Sequence, residues 1–321
     1  MLSQAARNFP NAPRPFLDLS TGINPVPYPL AALPAEAATR LPDADDEARL
    51  RDVAAQAYNA ADPAMVVAAP GTQILISLLP HLLRLAKPRV AILAPTYAEH
   101  ATAWRSVGAD VQNVADPADL AQANIAVVGN PNNPDGRRTD PRHLLALADR
   151  LAPRAGLLIV DEAFADLEGP GLSLVPHLPH PAILVLRSFG KTYGLAGLRL
   201  GFALAAPGLA ARLRQALGPW AVAGPALAAG LQTLPDSSWR DAAALRLERD
   251  ALRLDSLLAD RAMTLVGGTR LFRLYEGEAA QTLHDRLGRA GILTRRFDEA
   301  PHRLRFGLPG CERDWVRLTK A

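Results

Sequence analysis

The stretch SFGKTYGLAGLRLGF, residues 188–202, carries a single lysine, Lys191, shortly after an apolar run. The run itself, PAILVLR at 181–187, is typical of a buried strand, and long cationic side chains are seldom placed in such surroundings. A lysine at the end of a core strand therefore indicates a chemical role for its amine. Further apolar runs lie on both sides of this strand, and their order along the chain predicts the fold.

Seven apolar runs alternate with segments of helical periodicity. They cover residues 65–70, 89–95, 109–115, 124–130, 156–162, 182–188 and 198–205. This alternation is typical of a parallel sheet whose strands are joined by crossover helices. The sequence therefore predicts an α/β fold, with a large domain built on a mostly parallel seven-stranded sheet and a smaller α+β domain.

Changes in this pattern predict the domain boundaries. Residues 1–44 are rich in proline and lack periodicity, which predicts an extended N-terminal arm that joins the small domain. The large domain is predicted at 45–235, beginning with an amphipathic helix at 46–59, and the small domain at 236–321. The small domain is expected to contain a long helix, a strand, a helix, two strands and a last helix, at 238–263, 270–277, 279–291, 292–297, 302–308 and from Glu312.

Composition and charge argue against several classes of function. The chain has 321 residues, 49% of them hydrophobic, a formal net charge of only +3, and no basic tract interleaved with aromatic residues. Nucleic-acid binding is therefore not expected. The single cysteine, Cys311, excludes an internal disulfide. Residues 1–10 lack the pattern of a signal peptide, and no apolar stretch reaches the ~20 residues of a membrane span, so we expect a cytoplasmic protein without membrane contact.

Polar residues follow five of the seven runs, at the edge where open parallel sheets bind ligands. They are Gly71, Thr72 and Gln73 after the first run, Thr96 and Tyr97 after the second, NPNNPDG at 130–136 after the fourth, Asp161 at the end of the fifth, and Ser188 and Lys191 at the sixth. Each alone has a simple structural explanation, such as a helix cap or a turn. Together they predict a ligand site. His177 and His180 lie in a loop with prolines, so no metal site is expected.

The chemistry that needs this set of groups is that of pyridoxal phosphate. A lysine bonds to the aldehyde of the cofactor, and a carboxylate keeps the pyridine nitrogen protonated so that the ring can accept electrons. The phosphate of the cofactor is suited to helix N-terminal amides, a hydroxyl and an arginine. An aromatic side chain stacks on the ring, and an amide donates to its phenolic oxygen. The sequence contains each of these groups, which accounts for the lysine at the strand end.

The same residues resemble those of the fold-type I pyridoxal-phosphate enzymes, specifically the class I/II aminotransferase superfamily. The similarity covers nearly the whole chain, and its most specific element is Ser188 and Lys191 followed by Gly194, Gly197 and Arg199. The resemblance implies a catalytic set, which is Lys191, Asp161 and Tyr97. It implies a cofactor-binding set, which is Gly71, Thr72, Gln73, Tyr97, Asn133, Asp161, Ser188, Lys191 and Arg199. It also implies a substrate-binding set, which is Asn24, Asn133 and Arg305, with Arg305 holding the carboxylate.

Three segments resemble one branch of the superfamily. FLDLSTGINPVPYP at 16–29, APGTQILISLLP at 69–80 and DEAFADLEG at 161–169 are similar to the cobalamin-pathway threonine-phosphate decarboxylase group, close relatives of histidinol-phosphate aminotransferase. The resemblance implies conversion of O-phospho-L-threonine into aminopropanol phosphate, and a homodimer. Three features depart from the relatives: a common His-Gly-Gly segment near the start is not present, Phe164 replaces a frequent tyrosine, and Leu41 stands where many carry another tyrosine.

Three functions remain open at this point. Decarboxylation and transamination share their first steps and differ in which bond of the α-carbon stands perpendicular to the ring, an angle that the sequence does not show. We expect a phospho-amino-acid decarboxylase, with a histidinol-phosphate-type aminotransferase as the alternative. A catalytically silent ligand-binding domain is disfavoured because Lys191, Asp161 and Arg199 are all present. A second cation is expected for the phosphate of the substrate, with four candidates: Arg137, Arg138, Arg295 and Arg296.

Overall fold

The seven apolar runs form one sheet in the computed structural model, which describes residues 2–321. The strands of these residues are β1 Leu17–Asp18, β2 Val66–Ala69, β3 Arg89–Leu93, β4 Asp110–Val114, β5 Ile125–Gly129, β6 Leu157–Asp161, β7 Ile183–Ser188, β8 Gly201–Ala205, β9 Thr264–Thr269, β10 Phe272–Glu276, β11 Ile292–Leu293, β12 Arg295–Arg296 and β13 Arg303–Phe306. The helices are α1 Leu2–Asn8, α2 Ala44–Tyr58, α3 Thr72–Leu83, α4 Glu99–Arg105, α5 Pro141–Leu151, α6 Phe189–Thr192, α7 Pro207–Leu217, α8 Gly224–Thr233, α9 Ser237–Ala259, α10 Ala280–Arg289 and α11 Glu312–Lys320.

The strand order of the large sheet is β2-β8-β7-β6-β5-β3-β4. Strand β8 runs antiparallel to its neighbours β2 and β7, and the other neighbouring pairs are parallel. The predicted α/β fold with a mostly parallel seven-stranded sheet is therefore confirmed. Because only β8 is reversed, the carboxyl ends of β2, β3, β5, β6 and β7 lie at the same edge of the sheet, and the polar residues that follow these strands gather there.

Alternate side chains of each strand enter two separate apolar cores, one on each face of the sheet. On β6, Leu158 and Val160 belong to a core that contains Tyr58, whereas Ile159 belongs to a core that contains Trp104. We call these the Tyr58 core and the Trp104 core. Helices α2, α5 and α8 contribute to the Tyr58 core, and α3, α4 and α7 contribute to the Trp104 core. Which face a residue takes at the end of a strand therefore decides which set of helices surrounds it.

Contacts divide the chain into two units. The large unit comprises residues 28–133 and 137–240, and the small unit comprises the chain up to Pro27 together with 134–136 and 241–321. These limits differ from the predicted boundaries after residues 44 and 235, and the assignment of domains stays a prediction. Among residues 2–321, no helix is long and apolar enough to cross a membrane.

The small unit contains a four-stranded antiparallel sheet and a two-stranded parallel pair. The sheet order is β12-β13-β10-β9, and β1 pairs with β11. Residues 292–297, predicted as one strand, instead form β11 and β12, which pair with different partners. Helix α1, within the predicted extended arm, and strand β9 were not predicted. The first is short and buries only Ala5, and the second contains Gly267 and Gly268, so both carry weak local signals.

Candidate active site

The predicted phosphate-binding residues converge where β2, β8 and β7 lie side by side. Gly201 on β8 pairs with Ala69 of β2 on one side and with Ser188 of β7 on the other. A Cβ atom built on Gly201 would lie 2.7 Å from the backbone nitrogen of Thr72, the first residue of α3. Glycine at this position therefore allows the start of α3 to approach the strand that lies beside Ser188.

Gly71 and Arg199 also belong to this group of residues. We call Gly71, the start of α3, Ser188 and Arg199 the phosphate corner. Gly71 caps the N-terminus of α3 with a φ of 84°, and a Cβ atom on it would lie 2.6 Å from Nη2 of Arg199. Arg199 has a φ of 55° and donates from Nη1 to the carbonyl oxygen of Ala196 at 3.2 Å. A helix N-terminus presents amide donors and partial positive charge. Together with the guanidinium and the Ser188 hydroxyl, it makes this corner suitable for a phosphate.

Asp161 ends β6, and its carboxylate bonds to a histidine that the sequence analysis did not identify. Nε2 of His100 lies 3.0 Å from Oδ2 of Asp161, and the backbone N–H of Ala163 donates to Oδ1 at 3.1 Å. Burial favours a higher pKa for Asp161. The hydrogen bond and charge of His100, with the charge of Lys191, outweigh burial and hold the pKa of Asp161 below its usual value. The carboxylate is thereby kept ionised, the form that a protonated pyridine nitrogen requires.

His100 is a buried residue of α4, 2% exposed, on the helix that also carries Trp104. A single histidine in a short helix forms no recognisable motif. The one signal in the sequence is its position about one helical turn after Tyr97. The contact with Asp161 joins residues from different strand ends, so the fold has to be known before the pair can be found.

Tyr97 and Gln73 contact each other across the ends of β3 and β2. The hydroxyl of Tyr97 donates to Oε1 of Gln73 at 3.0 Å. The ring of Tyr97 meets His100 edge to face, with 6.2 Å between ring centroids and an angle of 89°. Tyr97 is 40% exposed, so part of its ring can be covered by a planar ligand. Its stacking role stays a prediction.

Asn133 differs from the other asparagines of the NPNNPDG turn. Asn130 and Asn132 are fully buried, and Oδ1 of Asn132 accepts a hydrogen bond from the hydroxyl of Thr96 at 2.7 Å. Asn130 likewise accepts from the backbone N–H of Thr139 at 2.9 Å. These contacts stabilise the turn, whereas Asn133 is partly exposed. Its predicted hydrogen bond to the ring oxygen of the cofactor stays a prediction.

Lys191 lies in α6, and its amine approaches the ring of Phe164. Nζ is 4.3 Å from the centroid of that ring, a distance at which an ammonium group is attracted to the aromatic face. Phe164 is the position at which the resemblance implies a tyrosine. It is 6% exposed and offers Lys191 a ring face without a hydroxyl group.

Two of the predicted substrate-binding residues, Asn24 and Arg305, belong to the small unit. Arg305 is 8% exposed and donates from Nη2 to the carbonyl oxygen of Ser20 at 2.9 Å. Burial, together with the charge of Arg295, lowers the pKa of Arg305 to about 10. Asn24 is buried, and its Oδ1 accepts a hydrogen bond from Nη2 of Arg246 at 3.0 Å. Their roles in substrate binding stay predictions.

The four arginines considered for the phosphate of the substrate have different surroundings. Arg137 donates to backbone carbonyl oxygens at 3.2 and 3.3 Å, and Arg138 and Arg296 each pair with a carboxylate. Arg295 on β12 lies directly opposite Arg305 on β13. Like charges in directly opposed positions destabilise a sheet. An anion bound beside them would remove that repulsion, which favours Arg295 among the four candidates.

The residues of the large unit fit pyridoxal phosphate. Gly71 and Gly201 leave space that a Cβ atom would fill, next to the amides of α3 and the guanidinium of Arg199. Asp161 supplies a carboxylate with a lowered pKa, and Lys191 supplies an amine one strand away, since β6 and β7 are paired. Donors for a phosphate, an anion for a pyridinium and an amine for an aldehyde therefore occur in one unit.

Comparison with known proteins defines the class. Residues 15–319 match the family model described as aminotransferase class I and II, and the chain belongs to this family. A threonine-phosphate decarboxylase of Sinorhizobium sp. is 45% identical over 309 residues, covering 96% of this chain and 91% of the relative. Another, of Pseudomonas aeruginosa, is 42% identical over 323 residues, covering 100% of this chain and 95% of the relative.

A solved structure supports the fold. The histidinol-phosphate aminotransferase of Sinorhizobium meliloti, in complex with pyridoxal-5'-phosphate, is similar to this chain with a TM-score of 0.84. It is 22% identical, and the match covers 100% of this chain and 93% of that chain. The predicted membership of the class I/II aminotransferases is confirmed, and with it an enzyme whose cofactor is pyridoxal phosphate.

Proposed function

We propose that this chain is a pyridoxal-phosphate-dependent lyase that converts O-phospho-L-threonine into aminopropanol phosphate in cobalamin biosynthesis. The observation that carries this proposal is the identity of 45% and 42%, over almost the full length of each chain, to two proteins named threonine-phosphate decarboxylase. The arrangement of Lys191, Asp161 and the phosphate corner in the large unit supports the cofactor chemistry. In the reaction the carboxyl group leaves as carbon dioxide, and the α-carbon receives a proton in its place.

The residues of the large unit have different roles in this reaction. Pyridoxal phosphate, when bound, withdraws electrons from the bond that breaks at the α-carbon. Asp161 holds a proton at the pyridine nitrogen, since its carboxylate is kept ionised by His100 and Lys191. Lys191 would hold the cofactor at its aldehyde carbon, and its amine, after the amino group of the substrate has replaced it there, would deliver the proton to the α-carbon. Arg199 and the start of α3 hold the phosphate.

We propose one arginine for each of the two anionic groups of the substrate. Arg305 binds the carboxylate, and Arg295 binds the phosphate. A buried arginine with a pKa of about 10 is still positively charged at neutral pH, so it presents a full charge to a carboxylate. The opposed positions of Arg295 and Arg305 support a site for a doubly anionic substrate. The neighbouring Arg296 lies on the opposite face of β12 and pairs with Asp298 at 3.1 Å, so we do not include it in this proposal.

The reaction is tested by incubating the purified holoenzyme with O-phospho-L-threonine and measuring carbon dioxide, amine and keto acid. We expect one carbon dioxide for each molecule of amine and no keto acid. Keto acid formed in the presence of 2-oxoglutarate, without carbon dioxide, would instead establish the aminotransferase alternative. The same assay with L-threonine tests the phosphate site, since loss of a charge-assisted contact costs about tenfold to a hundredfold.

Arg295 and Arg296 form a matched pair for testing the phosphate site, because they are consecutive residues of β12. Arg295→Gln should raise the KM for O-phospho-L-threonine by about tenfold to a hundredfold. Arg296→Gln should leave KM near the wild-type value. Equal effects of the two substitutions would exclude Arg295 as the specific anchor.

We also propose a cytoplasmic location, on the sequence pattern described above, and a homodimer, as the family resemblance implies. Analytical ultracentrifugation of the holoenzyme checks the second point. A single species with the mass of one chain, 34.2 kDa, would contradict it.

A further inference from the structure

A second polar cluster lies next to the segment that carries Lys191, on the face of the sheet that carries the Tyr58 core. The guanidinium of Arg187, on β7, bonds to the carboxylates of Glu162 and Asp166. It also donates from Nη2 to the hydroxyl of Ser173 at 2.8 Å. Arg187 is 5% exposed and Glu162 is fully buried, so this cluster is part of the interior.

Asp166 connects this cluster to both sides of Lys191. One carboxylate oxygen bonds to Arg187, which precedes the active-site segment. The other accepts a hydrogen bond from the hydroxyl of Thr192 at 2.9 Å, and Thr192 directly follows Lys191. A single buried carboxylate therefore holds the chain before and after the lysine.

The segment that carries Lys191 has little structure of its own to keep it in place. Helix α6 has only four residues, and a single helical turn is marginal without external contacts. It packs tightly at Gly190, where an added Cβ atom would lie 2.6 Å from Cα of Ala196. The position of the turn is thus sensitive to contacts made by its side chains, and Thr192 is 1% exposed.

Two groups near the amine lie shortly before Asp166 in the chain, at the end of β6 and in the loop that follows it. They are Asp161 and Phe164, and Nζ of Lys191 lies 4.3 Å from the Phe164 ring centroid. A link between this loop and Thr192 therefore maintains the distance between the amine and the groups that surround it.

We propose that Asp166 and Thr192 are positioning residues for Lys191: their hydrogen bond joins the loop at 161–166 to α6 and keeps the amine in place for cofactor attachment. The proposal rests on the attachment of the cofactor to Lys191 given under the proposed function, and not on the choice of substrate.

The test compares Thr192→Val with Thr192→Ser in the holoenzyme. Valine keeps the shape of threonine and removes the hydroxyl, whereas serine keeps the hydroxyl and removes the methyl group. The measurements are the pH titration of the absorption band of the lysine-bound cofactor, the rate of borohydride fixation on the Lys191 peptide, kcat and KM, and the unfolding midpoint. Asp149→Asn is the control, because Asp149 forms an exposed pair with His180 in the same unit.

We expect Thr192→Val to lower kcat about tenfold with little change in KM, since a hydrogen bond to a charged group is worth at least that factor. The apparent pKa of the lysine-bound cofactor should fall by about 0.5 unit or more, because a displaced amine loses its contact with the face of Phe164. Thr192→Ser and Asp149→Asn should titrate like the wild type.

Two results would overturn the proposal. One is a Thr192→Val protein with a lower unfolding midpoint but the spectrum, fixation rate and kcat of the wild type, which would make the cluster purely structural. The other is an equal spectral shift in the valine and serine variants. Because the titration and the fixation use no substrate, they remain valid whichever amino acid the enzyme is found to consume.

Discussion

Asp161 and Glu162 are consecutive residues with opposite environments. Neighbouring residues at a strand end face opposite sides of the sheet, so Asp161 meets the helices of the Trp104 core and Glu162 meets the Tyr58 core. Burial opposes ionisation of both. For Asp161 the contacts of His100 and Lys191 prevail and its pKa is lowered, whereas for Glu162 burial prevails over Arg187 and its pKa is raised.

The two faces of the sheet at the end of β6 therefore have different roles. The face with Asp161 presents ionised and donor groups to a ligand. The face with Glu162 holds charges that are satisfied by each other: Oε1 of Glu162 accepts from the backbone N–H of Leu174 at 2.7 Å, and Oε2 accepts from the hydroxyl of Ser173 at 2.7 Å. Loss of the first carboxylate should impair chemistry, and loss of the second should impair stability.

The largest effect is expected from Asp161→Ala. Without the carboxylate, a neutral pyridine is a poor acceptor of electrons, and turnover should fall by about 10³-fold, the upper range for one preorganised charged group. Cofactor binding should weaken but remain detectable through Lys191 and the phosphate corner. Steady-state kinetics and cofactor absorbance measure the two quantities, with Asp149→Ala as the control. Near-normal turnover in the Asp161 variant would contradict the assigned role.

Glu162→Gln should act mainly on stability. Removing one partner of a buried ion pair costs about 3–5 kcal/mol, and since Arg187 keeps Asp166, we expect a loss of about 3 kcal/mol in the free energy of unfolding. Turnover should fall far less than in Asp161→Ala. Urea unfolding measures the loss. Glu312→Gln is the matched control, because Glu312 pairs with Arg253 on the surface and should leave the midpoint unchanged. Equal midpoints for both variants would contradict the comparison.

His100→Phe tests how Asp161 is kept ionised. Without the hydrogen bond and charge of His100, the pKa of Asp161 rises, so the acid limb of the kcat/KM profile should move to higher pH. Activity at the optimum should fall by about tenfold. His100→Gln keeps an N–H donor and should lose less. Profiles of both variants that superpose on the wild type would exclude a role for His100.

The smallest effect concerns the pH dependence of stability. The pKa of Asp161 in the folded state lies below 3.8, so its contribution is complete above that pH and is lost as the pH falls through the folded pKa. The pKa of Glu162 lies above 4.5, so its contribution is complete below that pH and is lost as the pH rises through the folded pKa. The contribution of each carboxyl group to the free energy of unfolding changes by at most about 1.4 kcal/mol per pH unit.

Urea unfolding of the wild type, Asp161→Asn and Glu162→Gln at several pH values measures these contributions. The wild type should lose free energy of unfolding relative to Glu162→Gln as the pH rises above 4.5. The difference in the free energy of unfolding between wild type and Asp161→Asn should change only below pH 3.8. The same direction of change in both variants would show that the two carboxylates do not differ as described.

Much of this architecture could be predicted from local pattern. Each of the seven runs contains one strand of the large sheet. Six of these strands are mostly buried and need apolar residues on both faces, whereas β4, at the edge of the sheet, is mostly exposed. The features that were missed have weaker local signals. Residues 292–297 look like one strand, yet the chain changes partner between β11 and β12, a choice made by residues distant in sequence.

In the candidate site, too, only residues with a local signal in the sequence could be predicted. Lys191, Asp161 and Tyr97 were found because each follows or ends an apolar run. His100 was not, since its importance depends on a contact between two strand ends. The cluster of Arg187, Glu162 and Asp166 was also missed, because a charged residue beside an apolar run gives no indication of the partner that neutralises it.

The sequence by itself determined which segments are buried and which polar groups stand at their ends, because periodicity and composition act over neighbouring residues. The tertiary structure decided which of these groups meet. It placed β8 between β2 and β7, so that Gly201 lies between Ala69 and Ser188. It also set Arg295 opposite Arg305. Pairing of this kind depends on the packing of residues far apart in the chain, and no local pattern encodes it.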